Sequence, residues 1–528
     1  MKPLRHRCSP FSFTLSLGVA LAFSAVSSGA TEVRTVQLET RAGVLEGVVE
    51  EAGLVDAFKG IPYAAPPVGG LRWQPPRPAA PWAGLRLAHD FPPRAMQVHL
   101  WDDMRFFDDG PSEDCLYLNV WRPAKAAAKK RPVMFWIHGG GFVAGSTSEP
   151  RQNGAKLTQK GVVVVSLTYR MGVLGFLAHP ELSEESPQGA SGNYGLMDMV
   201  AALEWVRDNI ADFGGDPDNV TIFGESAGSF AVSMLMASPM AEGLFHKAIG
   251  ESGAALGEAT LSLKEGEEAG TRFGQEVLGL MSLRELRELP AQDLIEAAGK
   301  EHRFRAVVDG RFLMEDVEAT YQNGRQNSVP LLAGWNLDEG GAGAIFGQQA
   351  QTLVNFEARA REQFGADADE FLAAYAATTD AEALRAAKDY GGDRFIGHGT
   401  WRWIETHQRT GGKPVFRYRF DQTLPLPVDA APQAEPRAAH SWEIEYVFGV
   451  ISSRDLPWRP EDHEVSDLMM NYWTNFAKRG DPNGAGVPAW PQYLPEDQYP
   501  VMHLQADPVV TFDDHRDRYE FMTNQMSD

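Results

Sequence analysis

Three short, unbroken apolar runs constrain this chain more than any other feature. Val133-Met134-Phe135-Trp136-Ile137 leads into His138-Gly139-Gly140-Gly141, Val162-Val163-Val164-Val165 is β-branched throughout, and Val220-Thr221-Ile222-Phe223 ends at Gly224. Runs this short, without polar alternation, read as strands buried on both faces, the pattern of a parallel sheet. Between the second and third, Val200, Leu203, Val206, Ile210 and Phe213 recur at helical spacing within Leu196–Phe213. Gly214 and Gly215 stop that helix and Asp216-Pro217 turns the chain. Strand, helix and strand in this order make an α/β unit, so the expected fold class is α/β with a parallel sheet.

The 528 residues show no internal repeat and no low-complexity linker, and the 52 Gly and 34 Pro are spread along the chain. That favours one large domain with many loops over three smaller ones. With 48 Lys and Arg against 71 Asp and Glu, the formal net charge is −23. Such a surface repels phosphate backbones, so no nucleic-acid partner is expected. The 2 cysteines exclude a disulfide scaffold and a Cys-rich metal site, and no H-E-x-x-H cluster occurs, so no metal is expected.

The first thirty residues read as an address. Lys2, Arg5 and Arg7 precede an apolar stretch from Phe11 to Val26, and Ser28-Gly29-Ala30 offers small residues for cleavage. This is the layout of a secretory signal peptide over 1–30, leaving a single domain over 31–528 in a secreted or periplasmic location. A membrane anchor is the alternative, but Ser12, Thr14, Ser16 and Ser24 interrupt the run. No later segment has about 18 unbroken apolar residues, so no membrane association is expected of the mature form. Cleavage removes Cys8, leaving Cys115, expected to be buried and inert in Cys115-Leu116-Tyr117-Leu118.

Gly224-Glu225-Ser226-Ala227-Gly228 is a G-x-S-x-G motif between the third strand and a helical stretch, Phe230 to Met236. In that context the serine sits on a strained strand-to-helix turn that lifts its hydroxyl to a base, and the flanking glycines give the turn room. The glycines after the first strand free backbone N–H groups to face a developing oxyanion. The expected donors are Gly140, Gly141 and Ala227, each contributing on the order of 3 kcal/mol to a tetrahedral transition state.

These motifs together resemble the type-B carboxylesterase family. The resemblance runs through Phe58-Lys59-Gly60-Ile61-Pro62-Tyr63-Ala64, Leu71-Arg72-Trp73, Ser112 to Val120, Thr168-Tyr169-Arg170, Asp212 to Gly228, Trp473 to Asn483 and Trp490-Pro491. It implies the α/β-hydrolase fold, a large, mostly parallel sheet with helices on both faces and the active site in a gorge. It also implies hydrolysis of small-molecule esters through an acyl-serine, without a cofactor.

In this fold the nucleophile is followed by the acid and then the histidine. Asn336-Leu337-Asp338-Glu339-Gly340 resembles the family's acid loop and points to Glu339, with Asp338 a competitor that spacing alone does not exclude. His440-Ser441-Trp442-Glu443-Ile444-Glu445-Tyr446-Val447-Phe448-Gly449 resembles the histidine segment and points to His440; His138 is assigned to the oxyanion turn. Ser252 resembles a family serine that hydrogen-bonds the acid. Glu225, beside the nucleophile, is expected either to favour a cationic or hydrated group nearby or to be a buried, hydrogen-bonded carboxylate. Arg72 with Glu113 and Arg170 with Asp198 resemble structural ion pairs.

The chain departs from the family at two places. The family pairs the cysteine matching Cys115 with one about twenty residues earlier; here Arg94-Ala95-Met96-Gln97 has none, so the loop Met96 to Gly110 is expected to be unstapled. Of its aromatics, Phe106 is placed as a substrate contact. Before Asp309, His302-Arg303-Phe304-Arg305 stands where the family borders its acyl pocket, so His302, Arg303 and Arg305 are candidate contacts to an acyl group that is polar or bears carboxylates. Two other readings stay open: a non-catalytic adhesion or binding member of the fold, and an interfacial lipase. Oligomeric state is not readable from the sequence.

Overall fold

Each of the three apolar runs lies in the middle of one large sheet. In a computed structural model, residues 34–299, 301–431, 434–513 and 515–526 are described; the leader expected over 1–30 lies outside them. Among the described residues thirteen strands join this sheet: β1 (Thr35–Thr40), β2 (Gly43–Glu50), β3 (Val55–Pro62), β4 (Leu85–Leu87), β5 (Tyr117–Pro123), β6 (Arg131–Ile137), β7 (Val163–Leu167), β8 (Gly215–Glu225), β9 (Lys247–Glu251), β10 (Leu331–Asn336), β11 (Val415–Phe420), β12 (Pro500–Leu504) and β13 (Val509–Phe512). Their spatial order is β1-β2-β3-β5-β7-β6-β8-β9-β10-β11-β12-β13, with β4 beside β2. From β7 to β12 every pairing is parallel, and the strands toward either edge pair antiparallel, apart from β4, which runs parallel to β2. The sheet is thus mixed and mostly parallel at its centre.

Alternate residues of one strand enter different cores. Val133, Phe135 and Ile137 of β6 pack into one apolar cluster, shared with helices α1 (Tyr194–Asn209), α2 (Ala227–Ala237) and α3 (His398–Gly411). Met134 and Trp136 pack into another, shared with α4 (Ile444–Phe448) and α5 (Pro460–Arg479). Both faces are therefore covered, which is why the strand carries no polar alternation. Each fully buried large side chain here contributes about 1.5–3 kcal/mol by leaving water.

The helix expected over Leu196–Phe213 begins two residues earlier and ends in a 3₁₀ turn, Ile210–Phe213, closed by Gly214 in the left-handed region (φ 78°). Asp216-Pro217 is not a turn out of the helix. It lies at the start of β8, where the register against β6 slips between Gly215 and Val220. Proline's missing N–H is tolerated at such an irregularity.

The parallel strands end on one edge. Gly224 lies opposite Ile137, Glu225 opposite Glu251, and Glu251 opposite Gly334. The loops after β6, β8, β9 and β10 consequently emerge side by side, in the crevice at the carboxyl ends of the strands where α/β folds bind ligands.

Two bidentate ion pairs brace the scaffold. Arg72 meets Glu113 at 2.8 and 2.7 Å and donates to the Leu289 carbonyl at 2.7 Å. Arg170 meets Asp198 at 2.8 and 2.7 Å, both buried. Cys115 is buried and free, and burial pushes its thiol well above the usual range.

The 96–110 loop has no disulfide but is tied down by hydrogen bonds. The Gln97 amide exchanges two bonds with the Gly145 backbone, 2.8 and 2.9 Å. Asp108 pairs with Arg94 and accepts from Ser146 Oγ (2.8 Å) and Ser148 Oγ (2.5 Å). Arg94-Ala95 and Pro111-Ser112 form a short parallel ladder at the loop's base. The loop is without a disulfide, as expected, and these polar contacts hold it to the 145–148 backbone and side chains.

Candidate active site

The strand-to-helix turn at Ser226 is built by close approach. Ser226 has φ 53° and ψ −122°, outside the regions ordinary residues prefer, and is the N-terminal boundary residue of α2. Its N–H donates to Glu251 O at 2.9 Å, extending the β8–β9 ladder past the end of the strand. A Cβ on Gly228 would lie 2.0 Å from Ile137 O, and one on Gly224 would lie 2.6 Å from the Gly228 carbonyl carbon. Neither position accepts a side chain, which is the physical content of the motif's glycines.

Three distant segments meet here. Ser226 Oγ is 3.0 Å from His440 Nε2, and His440 Nδ1 is 2.6 Å from Glu339 Oε2. With Nδ1–H donating to the carboxylate, Nε2 is left to accept the serine proton. Asp338, the competitor, faces away: its carboxylate takes Arg385 Nη1 and the Ala438 N–H, both at 3.0 Å. The other Glu339 oxygen accepts from Ser252 Oγ (2.6 Å) and the Asn336 N–H (2.7 Å), so three donors fix this carboxylate. Ser252 itself has φ 56° and Ser441 φ 66°. Left-handed backbone at three serines around one site is strain of the kind held at functional centres.

Glu225 and Glu443 complete a buried acidic shell. Glu225 is 3% exposed, and its Oε1 lies 3.3 Å from His440 Nε2 while accepting no hydrogen bond. Glu225 is buried, as one expectation had it, but Oε1 accepts no hydrogen bond and its neighbour is the His440 imidazole. Glu443 is fully buried, accepts from Asn336 Nδ2 at 2.6 Å and lies 3.4 Å from Ser252 Oγ. Burial pushes the Glu225 carboxyl up to about 7 and Glu443 up to about 8. Burial alone would lower His440, but Glu225 and then Glu339 outweigh it and hold the imidazole up to about 10. The groups share protons as one titrating system. Glu443 was present in the histidine segment but carried no assigned role; its spacing, three residues after His440, was the available signal.

The glycine turn stands beside the serine. Gly140 (φ 105°), Gly141 (φ 62°) and Ala227 line the same cavity as Ser226, and a Cβ on Gly139 would lie 2.7 Å from Glu225 O. His138 is buried beneath it, stacked on Tyr169 with centroids 4.6 Å apart, and Nδ1 lies 2.9 Å from Gly139 O. Burial lowers this imidazole to about 4, so it stays neutral and supports the turn.

The cavity measures about 580 Å³. Trp101 and Met104 of the 96–110 loop line it, as do Arg303 and Arg305. Two expected contacts do not. Phe106 packs under Arg94 (4.9 Å to the ring centroid), and His302 turns toward Phe273 and the Ala298 carbonyl. The first is claimed by the ion pair that holds the loop, the second by the local helix end. Unanticipated is a single π-helical turn, Asp393–Gly397, immediately before α3. It brings Arg394 and Phe395 to the cavity, with Phe395 edge-on to His440 at 5.1 Å between centroids. Wide turns of this kind recur at functional sites, but no periodicity in the sequence signals one. Among the described residues no group of three His, Cys, Asp or Glu side chains could hold a metal ion, and no helix is long and apolar enough to cross a membrane.

A mixed, centrally parallel sheet with a serine elbow, a glycine turn and a Ser–His–Glu row at its carboxyl edge defines an α/β-hydrolase. The carboxylesterase family model matches residues 33–522. Fumonisin B1 esterase of Sphingopyxis macrogoltabida is 39% identical over 508 residues, covering 92% of this chain and 89% of that one. Carboxylesterase 5A of Canis lupus familiaris is 35% identical over 506 residues, covering 89% and 86%. Of solved structures, a PNB esterase aligns with TM-score 0.76 at 32% identity, and the Geobacillus stearothermophilus carboxylesterase with TM-score 0.77 at 34%; each alignment covers 92% of this chain and 99% of the other. The chain belongs to the carboxylesterase family and is a carboxylic ester hydrolase.

Proposed function

We propose that Ser226, His440 and Glu339 carry ester hydrolysis through an acyl-serine, and that the acyl groups accepted are polar or bear carboxylates. One observation supports the chemistry above all: Ser226 Oγ lies 3.0 Å from one nitrogen of an imidazole whose other nitrogen lies 2.6 Å from Glu339. Neutral His440 takes the Ser226 proton as Oγ attacks the ester carbonyl. Glu339 holds the tautomer and stabilises the imidazolium that forms, and Glu225, 3.3 Å from Nε2, adds a second negative neighbour. The N–H groups of Gly140, Gly141 and Ala227 receive the tetrahedral oxygen. The alcohol departs with the proton from His440, and water, deprotonated by the same imidazole, releases the acid and restores the serine.

The fumonisin B1 esterase relative makes fumonisin B1 one candidate substrate. A fluorophosphonate probe should label the wild-type protein and fail to label Ser226→Ala, and hydrolysis of every ester in a panel of neutral, cationic and carboxylated substrates plus fumonisin B1 should fall by at least about 10⁴-fold in that variant. Retained turnover in Ser226→Ala would refute the assignment. The same reading includes export: protein recovered from the periplasm or medium should begin near Thr31.

A further inference from the structure

The cavity at Ser226 is walled by four guanidinium groups, and two of them have no countercharge. Arg151 is answered by Glu149 at 2.7 Å, and Arg305 is paired with Glu258. Arg303 and Arg394 make no ion pair and no hydrogen bond among the described residues. Both are exposed, so a solute entering the cavity can reach them. Both line the cavity that holds Ser226 and His440. A Cβ built on Gly141 would lie 4.0 Å from Arg303 Nη1, so this guanidinium reaches the turn whose amides face the carbonyl oxygen. Arg394, next in sequence to Phe395, whose ring meets His440 edge-on, lines the same cavity.

We propose that Arg303 and Arg394 form a two-point clamp for carboxylates carried by the acyl group, which makes the preferred substrates esters of di- and tricarboxylic acids whose remaining carboxyls are free. The proposal rests on Ser226 being the nucleophile and assigns to Arg394 the partnership that the sequence pattern gave to Arg305. A guanidinium's planar fork matches a carboxylate in two parallel hydrogen bonds, which an ammonium cannot copy. Arg303 lies close enough to the glycine turn to meet a carboxylate a few bonds from the scissile carbonyl, while a neutral alkyl acyl group leaves both cations with water alone. Hydrolysis adds one further carboxylate to the released acid, so the free polyacid is also a ligand for the clamp.

p-Nitrophenyl hemiglutarate and p-nitrophenyl valerate share chain length and leaving group and differ in the terminal carboxylate. Wild-type enzyme should favour the hemiglutarate in kcat/KM by tenfold or more, mainly through KM, and free glutarate should inhibit valerate hydrolysis competitively. In Arg303→Gln and Arg394→Gln the selectivity ratio should fall at least tenfold and glutarate inhibition should weaken, with lysine restoring only part of each. Fluorophosphonate labelling of Ser226 reports that the site still assembles. A ratio near one in the wild type, or a ratio unmoved in both variants, overturns the clamp while leaving the serine mechanism standing. Valerate hydrolysis surviving in Ser226→Ala overturns the mechanism itself.

Discussion

The unusual residue at this site is Glu225, a carboxylate set beside the nucleophile rather than behind the base. Its Oε1, 3.3 Å from His440 Nε2, accepts no hydrogen bond, so its interaction with the ring is one of charge. That charge is the leading influence raising His440 against the opposing effect of burial. Glu225→Gln keeps the shape and removes the charge. A base with a lower pKa stays neutral to lower pH, so the acid limb of the kcat/KM profile should move to lower pH, by about one unit. Maximal kcat should drop about tenfold, because the imidazolium formed in the transition state loses a neighbour. Profiles from pH 6 to 11, where Glu225 is ionised and the His440 limb falls, decide the matter on both proteins; a limb that stays in place would mean the Glu225 charge does not reach the ring.

At the scale of elements, the acid is held by backbone meeting backbone. A Cβ on Gly340 would lie 2.1 Å from Gly392 N, and one on Gly391 would lie 2.2 Å from Gly341 O, so the loop after β10 and the helix Asp380–Gly392 interlock through glycines alone. Gly340→Ala must push these apart and carry Glu339 with them. The expected result is a loss of 10²-fold or more in kcat, since small displacements of a catalytic group cost that much, with a lower thermal midpoint and little change in KM. Unchanged kcat would show that the acid loop has slack. The serine elbow, the glycine turn and the central strands could be read from the sequence because each rests on local rules: period, small residues at a turn, a run apolar on both faces. Glu339 was separable from Asp338 only by packing, since Arg385 and the Ala438 N–H claim Asp338 from segments far along the chain. Gln97 anchors its loop by bonding a backbone 48 residues away, and Arg394 reaches the cavity from the irregular turn Asp393–Gly397. Contacts of that range leave no pattern in a single sequence.

For the whole molecule, buried ionisable groups dictate how stability follows pH. His138, His398 and His407 are each lowered to about 4 by burial. Between about pH 4.5 and 6.5 the unfolded chain holds protons that these three histidines lack in the folded state, so they make stability rise with pH. Over the same range the folded state keeps protons on Glu225 and Asp393 (burial raises both to about 7) and on Glu443 (raised to about 8) that the unfolded chain has lost, which makes stability fall. His179 and His246, lowered by burial, add to the first set, and Glu149, Asp198 and Glu251, raised by burial, add to the second, so the two sets oppose each other and the curve should be nearly flat. Above pH 6.5 the histidines of the unfolded chain are neutral and their contribution stops growing. Glu443 continues to lose its proton up to about 8, and His440, held up to about 10, keeps one that the unfolded chain releases near 6.5. Stability should therefore decline by about 1–3 kcal/mol per pH unit between pH 6.5 and 8. Surface repulsion from the net charge of −23 does not mimic this decline, because exposed carboxylates are already ionised across that window. Thermal midpoints at pH 5, 6.5 and 8 test the shape, and Glu443→Gln, which removes one titrating group from the buried set, should make the alkaline decline shallower. A midpoint that climbs from pH 6.5 to 8, or a decline that Glu443→Gln leaves untouched, would mean that the carboxyls around His440 do not hold their protons.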